Sequence, residues 1–169
     1  NFAQANALLY GAEASLTIHP VKYIHFENTF SYVHAQNRTN DQPLTMIPAA
    51  NLRNEIRFEP TLAGLLKSYV SVYIDNCFSQ NRVDATAFET STAGYTLLGA
   101  RIGTTIPLKR QQLGLYVAAN NLLNQKYYDA LSRLKPGNLN APNNPAAGVY
   151  NPGINITFGI FMPLSIKRW

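Results

Sequence analysis

The chain has 169 residues, of which 46% are hydrophobic and 14% are charged, and its formal net charge is +5. The charged fraction is well below the roughly 25% of ordinary soluble domains, and ten residues are Tyr. Domains that bind nucleic acid cluster their basic residues on one surface, whereas the lysines and arginines here are dispersed. Nucleic acid is therefore not expected as a partner.

Strands are the only elements with which this sequence could cross a membrane. No apolar run approaches the roughly 20 residues that a membrane-spanning helix requires. The single cysteine, Cys77, excludes an internal disulfide and a cysteine zinc cluster, and it is expected to be a small filler. The chain begins at Asn1 and shows no signal peptide, so we expect either a removed leader or a piece of a longer protein.

Segments of about ten residues with two-residue alternation recur along the chain, as is typical of transmembrane β-barrels. The predicted strands lie at about 7–18, 23–36, 52–60, 68–78, 95–106, 113–124 and 153–166. Short connections at 19–22, 61–67 and 107–112 alternate with long ones at 37–51, 79–94 and 125–152. In outer-membrane barrels the short turns are periplasmic and the long loops are extracellular.

Each predicted strand has an apolar face and a polar face. In the last strand the apolar face consists of Ile154, Ile156, Phe158, Ile160, Met162, Leu164 and Ile166. Charged residues fall on the opposite face, which is therefore predicted to line the lumen: Glu13, Glu27, Arg53, Glu55, Arg57, Glu59, Asp75 and Arg101. Asn28 is the exception, because it shares a face with Phe26 and Phe30, and a β-bulge is expected to re-aim it.

The predicted fold is all-β: an antiparallel transmembrane β-barrel segment of about seven long strands. Bacterial single-chain barrels have an even number of strands from eight upward, so further strands are needed to close this one. A soluble β-sandwich with one buried face produces the same alternation and stays open as an alternative.

Residues 113–135 resemble the penultimate strand and last long loop of TonB-dependent outer-membrane receptors. In that family an Asn-Leu-Phe/Leu-Asn element precedes a Tyr, and here Asn121-Leu122-Leu123-Asn124 precedes Tyr127. Asn151-Pro152-Gly153-Ile154-Asn155 is similar to the Asn-Pro-Gly-Arg-Asn opening of the family's final strand, with Ile154 in place of Arg. The stretch 131–135 resembles iron-complex receptors in which a His often precedes the Leu, where this chain has Ala130.

This resemblance implies a barrel of 22 strands, of which the chain supplies about the last seven, around an N-terminal plug. It implies a location in the outer membrane of a Gram-negative bacterium. The implied partners are the remaining barrel strands and plug of the same receptor, outer-membrane lipid, and the inner-membrane TonB complex acting through the absent N-terminal region. No cofactor is expected.

The resemblance also implies active transport of a ferric siderophore or another iron complex, with other scarce nutrients as alternatives. Charged loop residues are then candidate contacts for an anionic substrate: Arg38, Arg82, Asp129, Arg133 and Lys135. Alternatively, these charged side chains are solvated on the loop surface and contact no substrate. On the lumen side, Arg53, Glu55, Arg57 and Glu59 alternate in sign, which predicts an ion-pair ladder, a contact with the plug, or both.

No enzymatic arrangement is predicted. His25 and Glu27 share a strand face and His34 lies on the other, without a nucleophile or a set of metal ligands. A porin or an adhesin remains open as another kind of outer-membrane barrel, and a β-sandwich binding module as a soluble one.

Overall fold

The chain forms one antiparallel β-sheet whose seven long strands are joined in sequence order. A computed structural model describes residues 5–109, 111–137 and 148–163. The strands are β1 (Ala7–Val21), β2 (Ile24–Asn37), β3 (Gln42–Pro43), β4 (Asn51–Phe58), β5 (Leu66–Cys77), β6 (Tyr95–Pro107), β7 (Gln112–Asn120) and β8 (Asn155–Phe161). The sheet order is β1-β2-β4-β5-β6-β7-β8, and the two-residue β3 pairs only with β2. A 3-10 turn, η1 (Ala85–Ala87), lies in the connection between β5 and β6.

Long and short connections alternate, so they gather at opposite ends of the sheet. We call the end with residues 38–50, 78–94, 121–137 and 148–154 the long-loop end. The end with residues 22–23, 59–65, 108–109 and 111 is the short-turn end. Within the described residues, no helix has the length and apolar character needed to span a membrane.

All seven predicted long strands are present, but the predicted end of β7 is wrong. The prediction extended it to Asn124, whereas the strand ends at Asn120. Asn121 and Asn124 have positive φ angles of 52° and 51°, which turn the backbone out of the sheet. For β8, Leu164 and Ile166 of the predicted apolar face lie outside the described residues.

The predicted turn at 19–22 is also wrong, because β1 continues beyond His19. The register with β2 shifts between Ile18 and Val21, where His19 and Pro20 of β1 face the single residue His25 of β2. Where two residues of one strand face a single residue of the next, the strand has a β-bulge. A bulge tolerates proline, which has no N–H to donate to the hydrogen bonds between strands. The turn itself is only two residues long.

The predicted bulge at Asn28 does not exist. The pairing of β2 with β1 and β4 is continuous through this position, so Asn28 stays among apolar side chains. Asn54 lies directly opposite on β4, and its Nδ2 donates to Asn28 Oδ1 at 2.6 Å. Asn28 Nδ2 in turn donates to the Leu16 carbonyl at 3.4 Å. The two amides satisfy each other, which lowers the cost of placing polar groups on an apolar face.

The solvent exposure of apolar side chains is the reverse of that in a soluble protein. One face of the sheet, which we call the outward face, carries apolar side chains that are 36–76% exposed. Its members include Leu16, Ile18, Phe26, Phe30, Ile56, Phe58, Val70, Val72, Ile74, Ile102, Ile156, Phe158 and Ile160. The other, inward face carries the charged strand residues Glu13, Glu27, Arg53, Glu55, Arg57, Asp75 and Arg101. Buried strand residues such as Ala35, Ser71 and Tyr73 also lie on the inward face.

Candidate functional site

An ion-pair cluster occupies the inward face of β4 and β5. Arg53 and Asp75 are cross-strand partners, and Arg53 Nη1 donates to Asp75 Oδ2 at 3.0 Å. Arg53 Nη2 reaches Glu55 Oε2 at 3.4 Å, so one guanidinium serves two carboxylates. Glu55 is only 8% exposed, and burying a carboxylate is costly unless a cation pairs with it.

The predicted ladder of alternating charges is interrupted. Arg57 Nε lies 2.7 Å from Glu59 Oε1, which forms a second pair one residue beyond the end of β4. No ion pair joins Glu55 to Arg57 among the residues that the structure describes. Glu27 lies directly opposite Glu55, so the inward face also contains two adjacent like charges that a neighbouring cation would stabilise.

Aromatic rings cover glycines on the same face. The Tyr73 ring lies against Gly99 so closely that a Cβ at Gly99 would be 2.1 Å from its Cζ. The Arg53 guanidinium lies 3.8 Å from the centre of this ring and that of Arg101 lies 4.9 Å from it. The Tyr73 hydroxyl donates to the side chain of Asn120. Tyr73 is thereby fixed from several directions, and each cation gains from the π-face it contacts.

A second set of rings continues this pattern. Tyr69 lies against Gly103 and Tyr116 against Gly159 in the same way. The Arg57 guanidinium is 4.2 Å from the centre of the Tyr69 ring. These tyrosine–glycine contacts on the inward face were not predicted from the sequence. Their signal was the glycines on the polar side of β6 and β8, whose place opposite tyrosines only the strand register reveals.

At the long-loop end, three connections meet in an open cleft. The cleft is lined by Thr45 and Met46 of the first loop, residues 87–90 of the second, and residues 132–133 and 135–137 of the third. Hydrogen bonds tie the loops together: Met46 N–H donates to Glu89 Oε1 at 3.0 Å, and Thr90 Oγ1 donates to the Pro136 carbonyl at 2.8 Å. The cleft is therefore a joint product of segments far apart in sequence.

The candidate substrate contacts occupy different places at this end. Arg133 and Lys135 both line the cleft, and Arg133 is exposed. The Lys135 ammonium donates to the carbonyls of Thr90 at 2.8 Å and Ala130 at 3.0 Å. Burial lowers the pKa of Lys135 below its ordinary value, although the negative charges of nearby Glu89 and Asp129 oppose this shift. Lys135 therefore contributes to loop structure as well as to charge.

The other candidates are not in the cleft. Asp129 accepts a hydrogen bond from the Tyr95 hydroxyl at 3.0 Å. Arg82 Nη2 donates to Gln36 Oε1 at 2.6 Å and lies 3.3 Å from His34 Nε2, on the outward side of β2. Arg38 is exposed just beyond β2.

Asn121 organises the third loop, a role that its sequence motif did not reveal. Its side chain is 3% exposed and donates to the carbonyls of Gln125 at 3.0 Å and Pro152 at 3.2 Å. Asn121 Oδ1 accepts from the Gln125 N–H at 2.8 Å. The Asn121 side chain thus links the beginning of the loop to its end. Asn also tolerates the positive φ that this position requires.

We expect Asn121→Gly to loosen this loop. Glycine keeps the positive φ without strain but removes three hydrogen bonds made by a buried side chain, at a cost of about 1–3 kcal/mol. Trypsin cleavage after Lys126 and Arg133 in the folded protein should become faster than in wild type. Asn81→Gly, at an exposed position of another loop, is the control and should leave the cleavage rate unchanged. Equal rates in all three proteins would show that Asn121 does not hold the loop.

The described residues contain no group of three or more His, Cys, Asp or Glu placed to hold a metal ion. No protein-family model matches the chain, and no curated protein matches it in sequence. A solved structure described as copper transporter OprC aligns over 94% of this chain with a TM-score of 0.73 and 16% identity. The sheet has the fold of part of a TonB-dependent receptor barrel. This confirms the predicted all-β antiparallel barrel segment of about seven long strands.

The chain spans 24% of the length of that matched transporter chain. In a transmembrane β-barrel successive residues of a strand face alternately outward and inward, and the two faces described above show this alternation.

Proposed function

We propose that the chain forms part of the wall and the extracellular loops of an outer-membrane receptor that imports a scarce nutrient. The inner-membrane TonB complex would supply the energy for this transport. The observation that carries the proposal is a receptor-barrel fold with an apolar outward face and a charged inward face. Lipid-facing apolar residues and a polar interior are the arrangement that a spanning barrel requires.

The remaining strands and a plug would come from the same receptor. In the described residues β1 pairs only with β2 and β8 only with β7, so both edges of the sheet are unpaired. Each unsatisfied backbone group in lipid costs several kcal/mol, and a closed barrel removes this cost. Glu13 on β1 and the Glu27–Glu55 pair present acidic groups toward the lumen, where cations of a plug would complement them.

The long-loop end is extracellular in this proposal, and the cleft with Arg133 and Lys135 is where substrate is first met. Two cations, Arg133 and Lys135, outnumber the one carboxylate of the cleft, Glu89, which favours an anionic cargo. We propose a ferric siderophore or another anionic iron complex. Copper is a second candidate, because the matched structure is described as a copper transporter. Uptake of labelled ferric siderophores and of labelled copper, in cells with and without the receptor, separates the two. Open-channel conductance without any energised uptake would favour a porin instead.

We expect Arg133→Gln to slow uptake of an anionic iron complex about two- to fivefold at low ionic strength and less at high. The exposed guanidinium steers the complex toward the cleft, and salt screens that attraction. Arg82→Gln is the matched control, because its guanidinium is held by Gln36 on the outward side. Initial uptake rates are measured at two salt concentrations and normalised to receptor abundance. Equal slowing by both substitutions would contradict a role for the cleft.

A further inference from the structure

Two histidines face each other on the inward face at the short-turn end. The bulge in β1 places His19 against His25 of β2. Their rings are edge to face, with centroids 4.7 Å apart and an interplanar angle of 81°. The two Nδ1 atoms approach to 2.5 Å. Without a metal, a hydrogen bond between the two Nδ1 atoms accounts for this contact, and the same geometry directs both nitrogens toward one point, as two ligands of a metal ion would be.

A carboxylate lies behind one of the two rings. Glu59 Oε2 is 3.6 Å from His25 Nε2, which is buried and has no hydrogen-bond partner in the described part of the chain. A carboxylate at this position favours the tautomer with hydrogen on Nε2, which leaves the lone pair of Nδ1 directed at His19. At metal centres a carboxylate often contacts the ring nitrogen of a histidine that does not bind the metal. This contact fixes the orientation of the ring and raises the basicity of the ligand nitrogen.

The charged groups around the two histidines balance one another, so they do not oppose the binding of a cation. Arg57 is the cross-strand partner of His25 on the other side, but Glu59 Oε1 lies 2.7 Å from its Nε and offsets its charge. Glu27 is two residues along the same inward face of β2, and Lys22 lies in the turn beyond. Two carboxylates and two cations thus surround the imidazoles.

We propose that His19 and His25 bind a divalent transition-metal ion through their Nδ1 atoms, with Glu59 as the orienting carboxylate. Imidazole nitrogens suit Cu²⁺, Zn²⁺ and Ni²⁺, and Cu²⁺ binds most tightly in this series. Water or a ligand carried by the metal completes the coordination, so the site is open and exchanges its ion. This binding does not depend on which substrate the receptor imports.

Metal binding requires a small adjustment of the pair. With metal–nitrogen bonds of about 2.0–2.1 Å and tetrahedral angles, the two Nδ1 atoms must lie about 3.3 Å apart. His19 is exposed, so its ring can rotate outward by the required fraction of an ångström. The His25 side chain is only 18% exposed and lies 3.6 Å from Glu59, so His25 serves as the less mobile ligand.

The test is Cu²⁺ binding to the purified, metal-stripped receptor that contains this chain. Wild type, His19→Gln and His25→Gln are titrated at pH 7.5, with bound copper measured by equilibrium dialysis and its nitrogen ligands by electron paramagnetic resonance. We expect each substitution to remove one equivalent of bound copper together with its imidazole signal. Glu59→Gln should still bind the same number of copper ions, but its affinity for this copper should be about 10–100-fold lower.

His34→Gln is the matched control, because His34 lies on the outward face at the other end of β2 and stacks on Tyr10. It should bind as much copper as wild type. His19→Gln changes an exposed side chain and so tests the site even if His25→Gln fails to fold, which heat-modifiable migration on gels reports. Unchanged copper stoichiometry in His19→Gln would overturn the proposal and assign the pair to a shared proton.

Discussion

We expect Phe30→Arg to destabilise the proposed barrel by about 2–4 kcal/mol, whereas Ser31→Arg should change its stability by less than about 1 kcal/mol. Both residues lie at the middle of β2, so in a spanning barrel they would lie at the same depth in the membrane. Phe30 is on the outward face, where an arginine would meet lipid hydrocarbon. Ser31 is on the inward face opposite Glu13, where an arginine gains a carboxylate partner.

The free energy of unfolding in lipid vesicles, from urea titration, measures this difference. Adjacent positions share backbone, strand and depth, so only the face distinguishes them. If Ser31→Arg were the more harmful substitution, the outward and inward faces would have to be exchanged.

The second large effect is expected at Gly99. Gly99→Ala should destabilise the protein by about 1–3 kcal/mol, because the new Cβ would overlap the Tyr73 ring. The ring cannot simply move away, since Arg53 and Arg101 contact it and its hydroxyl is bonded to Asn120. Chemical denaturation of the complete receptor measures the effect.

A double-mutant cycle isolates the cause. In a Tyr73→Ala background the same Gly99→Ala change should cost less than about 0.5 kcal/mol, because no ring remains to be displaced. Gly64→Ala is not a suitable comparison, since Gly64 has a φ of 77° and its substitution is strained for a backbone reason. An equal cost of Gly99→Ala in both backgrounds would show that the glycine is required for something other than the tyrosine.

The alternation of side chains predicted the sheet well, because a strand's period of two depends on nothing beyond the strand itself. Where one residue interrupted the pattern, the prediction failed. Asn28 was expected to leave the apolar face, but its partner Asn54 lies on another strand and satisfies it there. Which residues stand opposite each other is a property of register, and one sequence alone does not reveal it.

Turn signals failed for a related reason. His19-Pro20 looked like a turn but forms a bulge inside β1, and Asn121–Asn124 looked like the end of a strand but forms a turn. Proline and asparagine are used in both settings, so tertiary contacts decide between them. The cleft at the long-loop end was likewise hidden, because loops far apart in sequence build it.

The most direct test of a spanning barrel is a nitroxide scan of β2 in the receptor reconstituted in bilayers. Single cysteines are placed at positions 26 to 33 in a Cys77→Ser background and spin-labelled. Collision rates with oxygen, which concentrates in lipid, and with a water-soluble nickel complex are then measured. We predict a period of two, with oxygen access highest at even positions such as Phe30 and Tyr32 and low at Thr29 and Ser31. Oxygen access that peaks at the odd positions, or that shows no alternation, would contradict a lipid-facing outward surface.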